Sequence, residues 1–364
     1  MQTRKTTQIT CEVYKTISSR VVDALKKAGV ADVHIQSGRA VVLKETNGIF
    51  GIGAGMKLDE EPSELFRCNV AEGSEDAVIK KMIDAADLTV PGRGSVVSEN
   101  IASTGDPSQP AKGDGHSLAT GLSGITCIVQ RGQGDTIVRA ALDMGFSVPN
   151  ITFGEGTGLR DKLGLLRITI PAEKDVVHIT VAEQDVNEVM NVLIDAGKLD
   201  QPGKGFIYNY PVAKGLLNTK ILRGKQKHAA SIEQMISAID DVKGNTEWRK
   251  RSAGTGTTDK RKFLSDLVNF TLICNEGRAS DLVRAAMGVG AAGATISKLR
   301  YLRFDGKGSD TSTAREMSDL IISQAQVDTI AKAMEEAGVF DKNTAGVIEL
   351  KPVPKACTYL GASR

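Results

Sequence analysis

Aromatic side chains make up only 4% of the 364 residues, with a single tryptophan, and there are just five cysteines and four histidines. Cys11, Cys68, Cys127, Cys274 and Cys357 are odd in number and lack the close spacing of metal knuckles or redox pairs. They are expected to be reduced residues of a cytoplasmic protein. His34, His116, His178 and His228 form no ligand-spaced pair and no nucleophile–base signature, so no enzymatic role and no metal site is expected. His34 and His178 fall in predicted strands, as ordinary strand-face residues. No apolar run approaches membrane-spanning length, and the polar opening from Met1 to Thr10 has no secretion-signal core. Neither sign of charge dominates, because 46 Lys and Arg face 44 Asp and Glu. The most basic stretch, from Lys220 to Lys262, is broken by Glu233, Asp240, Asp241 and Glu247 and has Trp248 as its sole aromatic. Nucleic-acid binding is therefore not expected, since single-strand binders interleave basic and stacking residues.

What the chain does have is a repeat. Ser19 to Gly29, Thr136 to Gly145 and Ser280 to Gly290 are three versions of one amphipathic helix, in which Val22, Val138 and Val283 coincide, as do Ala24, Ala140 and Ala285. The closing Gly29, Gly145 and Gly290 suit the left-handed position that stops a helix. Each helix follows a β-rich run: Ile9-Thr-Cys-Glu-Val13, Ile125-Thr-Cys-Ile-Val129 or Phe270-Thr-Leu-Ile-Cys274. Two further strands, a second helix and a last strand complete each copy, with Met82, Leu193 and Met334 at matching places in the second helices.

The order β-α-β-β-α-β predicts an α+β fold of three tandem ferredoxin-like units, each with two helices on one face of a four-stranded antiparallel sheet. The units are expected at residues 7–101, 122–216 and 263–360. Residues 102–121, rich in Gly, Ser, Asp and Pro, read as a flexible linker. Residues 217–262 read as a linker with an amphipathic helix, because Ile232, Met235, Ile236 and Ile239 share one helical face. Val, Ile and Leu occur on both sides of the strands, so the open sheet faces are expected to be buried between copies.

In the second copy, Ala196-Gly-Lys-Leu-Asp-Gln-Pro-Gly-Lys-Gly-Phe-Ile-Tyr-Asn-Tyr-Pro-Val212 resembles the segment of PII nitrogen-regulatory signalling proteins that carries their phosphate-wrapping B-loop. Pro91-Gly92-Arg93-Gly94 repeats it in copy one, while copy three keeps only Thr344-Ala-Gly-Val-Ile348. The resemblance implies ligand-binding roles for Gly92, Arg93 and Gly94 and for Gly203, Lys204 and Gly205, with glycine backbone approaching phosphate and a cation beside it. Gly293-Ala-Thr-Ile-Ser297 resembles the stretch that cradles adenine and ribose, with Thr295 as the key hydroxyl. Within Asn150 to Arg160, Gly156, Thr157 and Gly158 resemble the start of the large partner-touching T-loop, and Gly156, Gly158 and Arg160 are expected among the ligand-binding residues. The chain departs from the family where a basic residue after the B-loop glycines is replaced by Ser95, Phe206 and Val347.

The resemblance further implies a single-chain pseudo-trimer with three unequal clefts. No cofactor is certain, but a nucleotide of the ATP, ADP or AMP type is the expected ligand. A cytoplasmic, non-enzymatic regulator acting on a partner protein through loops such as Asn47 to Gly55 is the leading expectation. A scaffold that has lost the sensing chemistry, or that self-associates into higher assemblies or filaments, is the alternative.

Overall fold

The computed structural model describes residues 1–46, 55–158, 172–218, 222–223, 261–304 and 313–360. The first repeat comprises β1 (Arg4–Tyr14), α1 (Ser18–Ala28), β2 (Asp32–Thr46), β3 (Gly55–Val70), α2 (Glu75–Ala86) and β4 (Gly94–Ser103). The second comprises β5 (Ala119–Gln130), α3 (Gly134–Met144), β6 (Asn150–Gly158), β7 (Glu173–Ala182), α4 (Val186–Gly197) and β8 (Gly205–Leu216), followed by the short β9 (Leu222–Arg223). The third comprises β10 (Leu267–Asn275), α5 (Ala279–Gly288), β11 (Gly293–Arg303), β12 (Ala314–Ser323), α6 (Val327–Glu336) and β13 (Val347–Val353), with a final β14 (Lys355–Thr358).

Each repeat is a ferredoxin-like unit whose first strand lies at the middle of its sheet, giving the orders β2-β3-β1-β4, β6-β7-β5-β8 and β11-β12-β10-β13. Gly29 and Gly145, at φ of 80° and 86°, close the first helices of domains one and two in the left-handed conformation expected of them. Of the three matched valines, Val138 and Val283 are fully buried on the inward helix faces, and Ala24 is buried as well. Val21, Ile137 and Leu282 are almost wholly buried, whereas Val22 is half-buried.

Three apolar cores result, one under each pair of helices. All five cysteines are buried.

The three sheets join at both edges into one fourteen-stranded sheet. At one edge β2, β6 and β11 pair with one another. At the other, β4 pairs with both β8 and β13. Domains one, two and three thus close around a shared interior with their helices outside, the arrangement of a pseudo-trimer. Closure also removes most open strand edges, which would otherwise invite pairing with other chains.

The segment 102–121, expected as a flexible linker, begins inside β4 and ends inside β5, and between them Ser108 and His116 are held against domain one. Ser108 forms a bridge with Val70, its carbonyl accepts from the Ala71 N–H at 2.9 Å, and its hydroxyl accepts from the Ala31 N–H at 2.9 Å. His116 meets Asp84 at 2.7 Å. The reason is that Ser108 supplies the donors and acceptors that the end of β3 leaves open. The amphipathic helix expected around Ile232 to Ile239 lies outside the described residues, as do Arg160 and most of the loop from Asn47 to Gly55.

Candidate functional site

The two glycine turns have the same geometry. Residues 90–93 and 201–204 each close with a backbone hydrogen bond, from Arg93 to Val90 at 3.2 Å and from Lys204 to Gln201 at 3.3 Å. Pro91 and Pro202 sit second in these turns, and Gly92 and Gly203, at φ of 81° and 71°, sit third, the residue order of a type II turn. Gly94 and Gly205 follow at φ of 147° and 152°, where a Cβ would collide with the carbonyl oxygens of Glu12 and Ile128. Turn geometry and strand approach therefore account for all four glycines. In domain three the corresponding stretch instead carries Ala345 at φ of 46°.

Each turn lies at a seam between domains. The Gly92 N–H donates to Oδ1 of Asn218, a buried residue just beyond β8 of domain two, at 2.9 Å. The carbonyl of Gly205 accepts from the Thr358 hydroxyl of domain three at 2.9 Å. In domain three the Ile348 N–H donates to the hydroxyl of Thr104 from domain one, also at 2.9 Å. The segment after each domain's last main strand thus crosses the neighbouring domain's turn, three times around the molecule. Arg93 and Arg20 both approach Asp87, at 3.9 and 3.3 Å, on the outer side of the first turn.

Gly156, Gly158 and Thr295 are brought together elsewhere. Gly156 is the register partner of Thr295, and Gly158 that of Gly293, across the β6–β11 seam. Thr295 is buried and lines the central interior, away from both turns. The three groups of sequence-predicted residues therefore occupy separate places, and Arg160 lies outside the described residues.

The interior is where the structure departs most from the apolar sheet faces expected. The inner faces are buried but polar, and two cavities lie among them. The volume open to the centre of a water molecule is about 40 Å³ at the middle and about 60 Å³ at the seam between domains one and two. At roughly 10–15 Å³ per water, each holds only a handful of waters or a molecule of similar size, far less than a nucleotide needs.

Strand register identifies which inner-face residues are equivalent. Opposite Thr10, Thr126 and Thr271 stand Arg67, His178 and Asp319. Opposite Gln8, Gly124 and Asn269 stand Glu99, Tyr210 and Lys351. Two residues along from the threonines come Glu12, Ile128 and Ile273. Three copies of one position thus carry a base, an imidazole and an acid, and three copies of another carry an acid, a phenol and a base.

These groups interact across domains. Lys351 forms an ion pair with Glu99, which is 2% exposed, and its ammonium lies 4.5 Å from the centre of the Tyr210 ring. Glu349 accepts from Gln8 Nε2 at 2.8 Å and from Asn69, and burial raises its pKa against the pull of those bonds. Asp319 accepts from the Thr271 hydroxyl at 2.7 Å. His178 meets the Thr152 hydroxyl at 3.0 Å, and burial, followed by the charges of Arg67 and Lys351, lowers its pKa to about 3, so its ring is neutral. Glu12 is 7% exposed, with Oε1 unpartnered, and burial raises its pKa to about 8.

Sequence reasoning passed over this interior set. One signal was present: within the aligned runs beginning at Ile9, Ile125 and Phe270, Glu12 stands where the siblings have isoleucine. Among the described residues no three His, Cys, Asp or Glu side chains gather closely enough to hold a metal, and no helix is long and apolar enough to cross a membrane.

Neither a family model nor a curated protein matches the sequence. Among solved structures, PII from Arabidopsis thaliana bound to citrate aligns at 21% identity over 26% of this chain and 78% of its own, with a TM-score of 0.20. Aspartate kinase from Synechocystis aligns at 8% identity over 95% of this chain and 44% of its own, with a TM-score of 0.21.

Proposed function

We propose that this chain is a PII-like, non-enzymatic regulatory protein that binds an adenine nucleotide or a related anionic small molecule in the clefts between its domains, at the turns formed by residues 90–94 and 201–205. The observation that carries this reading is that both turns, each ending in a cation followed by glycine, sit at a seam where the next domain's chain crosses. Arg93 and Lys204 supply charge for a phosphate, and glycine backbone can approach it closely. The segments joining β2 to β3, β6 to β7 and β11 to β12 occur once per domain and would present the bound state to a partner protein.

One observation favours a scaffold instead. The Gly92 N–H is already bonded to Asn218, so the first turn offers one donor fewer to a ligand. Calorimetric titration of the full chain with ATP, ADP and AMP separates the two. Binding that weakens by about tenfold or more in Arg93→Ala or Lys204→Ala supports the regulator, because a charge-assisted hydrogen bond is worth about 1.5–3 kcal/mol. Absence of heat with all three nucleotides leaves the scaffold.

A further inference from the structure

We propose that the cavity between domains one and two is a second, interior binding site, for a small zwitterion of the size of glycine or alanine. The cavity is lined by Glu12, Arg67, Glu99, His178, Lys351 and Asn218, among others. Glu99 and Lys351 neutralise each other, which leaves Glu12 and Arg67 facing the space without a charged partner, the Glu12 carboxyl holding a proton that an incoming ammonium would displace.

Each of the two is short of partners. Glu12 is 93% buried by its 7% exposure, and its Oε1 has no hydrogen-bond donor. Arg67 donates from Nη1 to the side-chain Oε1 of Gln36 at 3.2 Å and to the Met317 sulfur at 2.9 Å, and among the described residues no carboxylate lies within ion-pair reach of it. A buried carboxyl that keeps its proton for want of a cation, and a guanidinium without a carboxylate, line one cavity without meeting and call for a ligand with a cation at one end and an anion at the other.

An ammonium would donate to Glu12, and a carboxylate would accept from the planar fork of Arg67. A simple anion would satisfy Arg67 and leave Glu12 orphaned, and a simple cation would do the reverse. The space of about 60 Å³ admits the five heavy atoms of glycine and excludes a nucleotide.

The site does not depend on the nucleotide reading, since it lies inside the sheets and not at the outer turns. Asn218 nevertheless touches both places, lining the cavity while capping Gly92. The equivalent positions in domains two and three carry Ile128 and Ile273, so this site exists once in the molecule.

The test is calorimetric titration of the full chain with glycine, L-alanine, acetate and methylammonium. Glycine or alanine should bind, and acetate and methylammonium, each half of the zwitterion, should bind about tenfold or more weakly. Glu12→Ile, which installs the sibling residue, should abolish the binding, and Glu12→Gln should weaken it by about ten- to a hundredfold. Thermal melts establish that each variant is folded, and if Glu12→Ile is not, Glu12→Gln decides. No heat with either amino acid, acetate binding as tightly as glycine, or unchanged affinity in the variants would each overturn the proposal.

Discussion

The outer cores and the shared interior of this molecule are built from the same strands, yet they treat the repeat in opposite ways. Under the helices the three domains use interchangeable residues: Cys11, Cys127 and Leu272 coincide, as do Met82, Leu193 and Met334, and all are fully buried. On the inner faces the copies disagree at every charged position. A residue in an outer core meets only its own domain, so apolar bulk is sufficient there. A residue near the axis meets its own equivalents, and three identical charges at one level would repel in a space that water cannot screen. Fusion into one chain permits Glu99, Tyr210 and Lys351 to differ, and so to attract.

The sharpest way to break this contrast is to remove one charge. Lys351→Met leaves Glu99 buried without its cation and should cost about 3–5 kcal/mol in urea unfolding. Adding Glu99→Gln to the same chain should recover much of the loss, because the orphaned charge disappears with its partner. A penalty below about 1 kcal/mol for the single variant would place the pair among exposed ion pairs and weaken the argument from the axis.

The outer cores make the converse test. Met82→Ala, Leu193→Ala and Met334→Ala each delete a fully buried side chain at the same place in its domain. Each should lose about 2–5 kcal/mol by the same denaturation, and the three losses should resemble one another. Strongly unequal costs would mean that the domains are not energetically interchangeable even where they look alike.

The legible and illegible parts of the sequence follow the same division. Gly29, Gly145, the first strands and the matched second helices are readable because they answer to local periodicity within each copy, whereas in domain three the helix stops at Gly288 with Val289 as its cap and not at Gly290. The segment 102–121 reads as a linker because Gly, Ser and Pro suit a flexible chain as well as one laid along a surface, and only tertiary structure reveals that Ser108 bonds to Ala31 and Ala71. The glycine turns show in the sequence as Pro-Gly-cation-Gly, but nothing local reveals that Asn218, more than a hundred residues away, takes the Gly92 N–H. Arg67, Glu99, His178 and Lys351 fall on ordinary strands in three separate domains, and only the closure of the sheets brings them together.

The smallest of these effects, and the one most specific to the interior, is a dependence on pH. The Glu12 carboxyl has an ordinary value of 4.5 and is raised to about 8 in the folded chain by burial. Between those values the native state keeps a proton that the unfolded chain has released, so stability is greatest below the lower value and falls as pH rises toward about 8. His34 and His178, held near 3 by burial and neighbouring cations, act with the opposite sign: their contribution is complete above 6.5 and is lost only on the acid side. Urea unfolding compared at about pH 7 and about pH 9 therefore isolates the carboxyl, and the wild type should lose more stability over that interval than Glu12→Gln, by about 1–1.5 kcal/mol. If the two chains lose stability in parallel, Glu12 is already ionised in the folded state, with its charge satisfied by something other than a proton, and the difference from Ile128 and Ile273 at the same level has no cost at neutral pH.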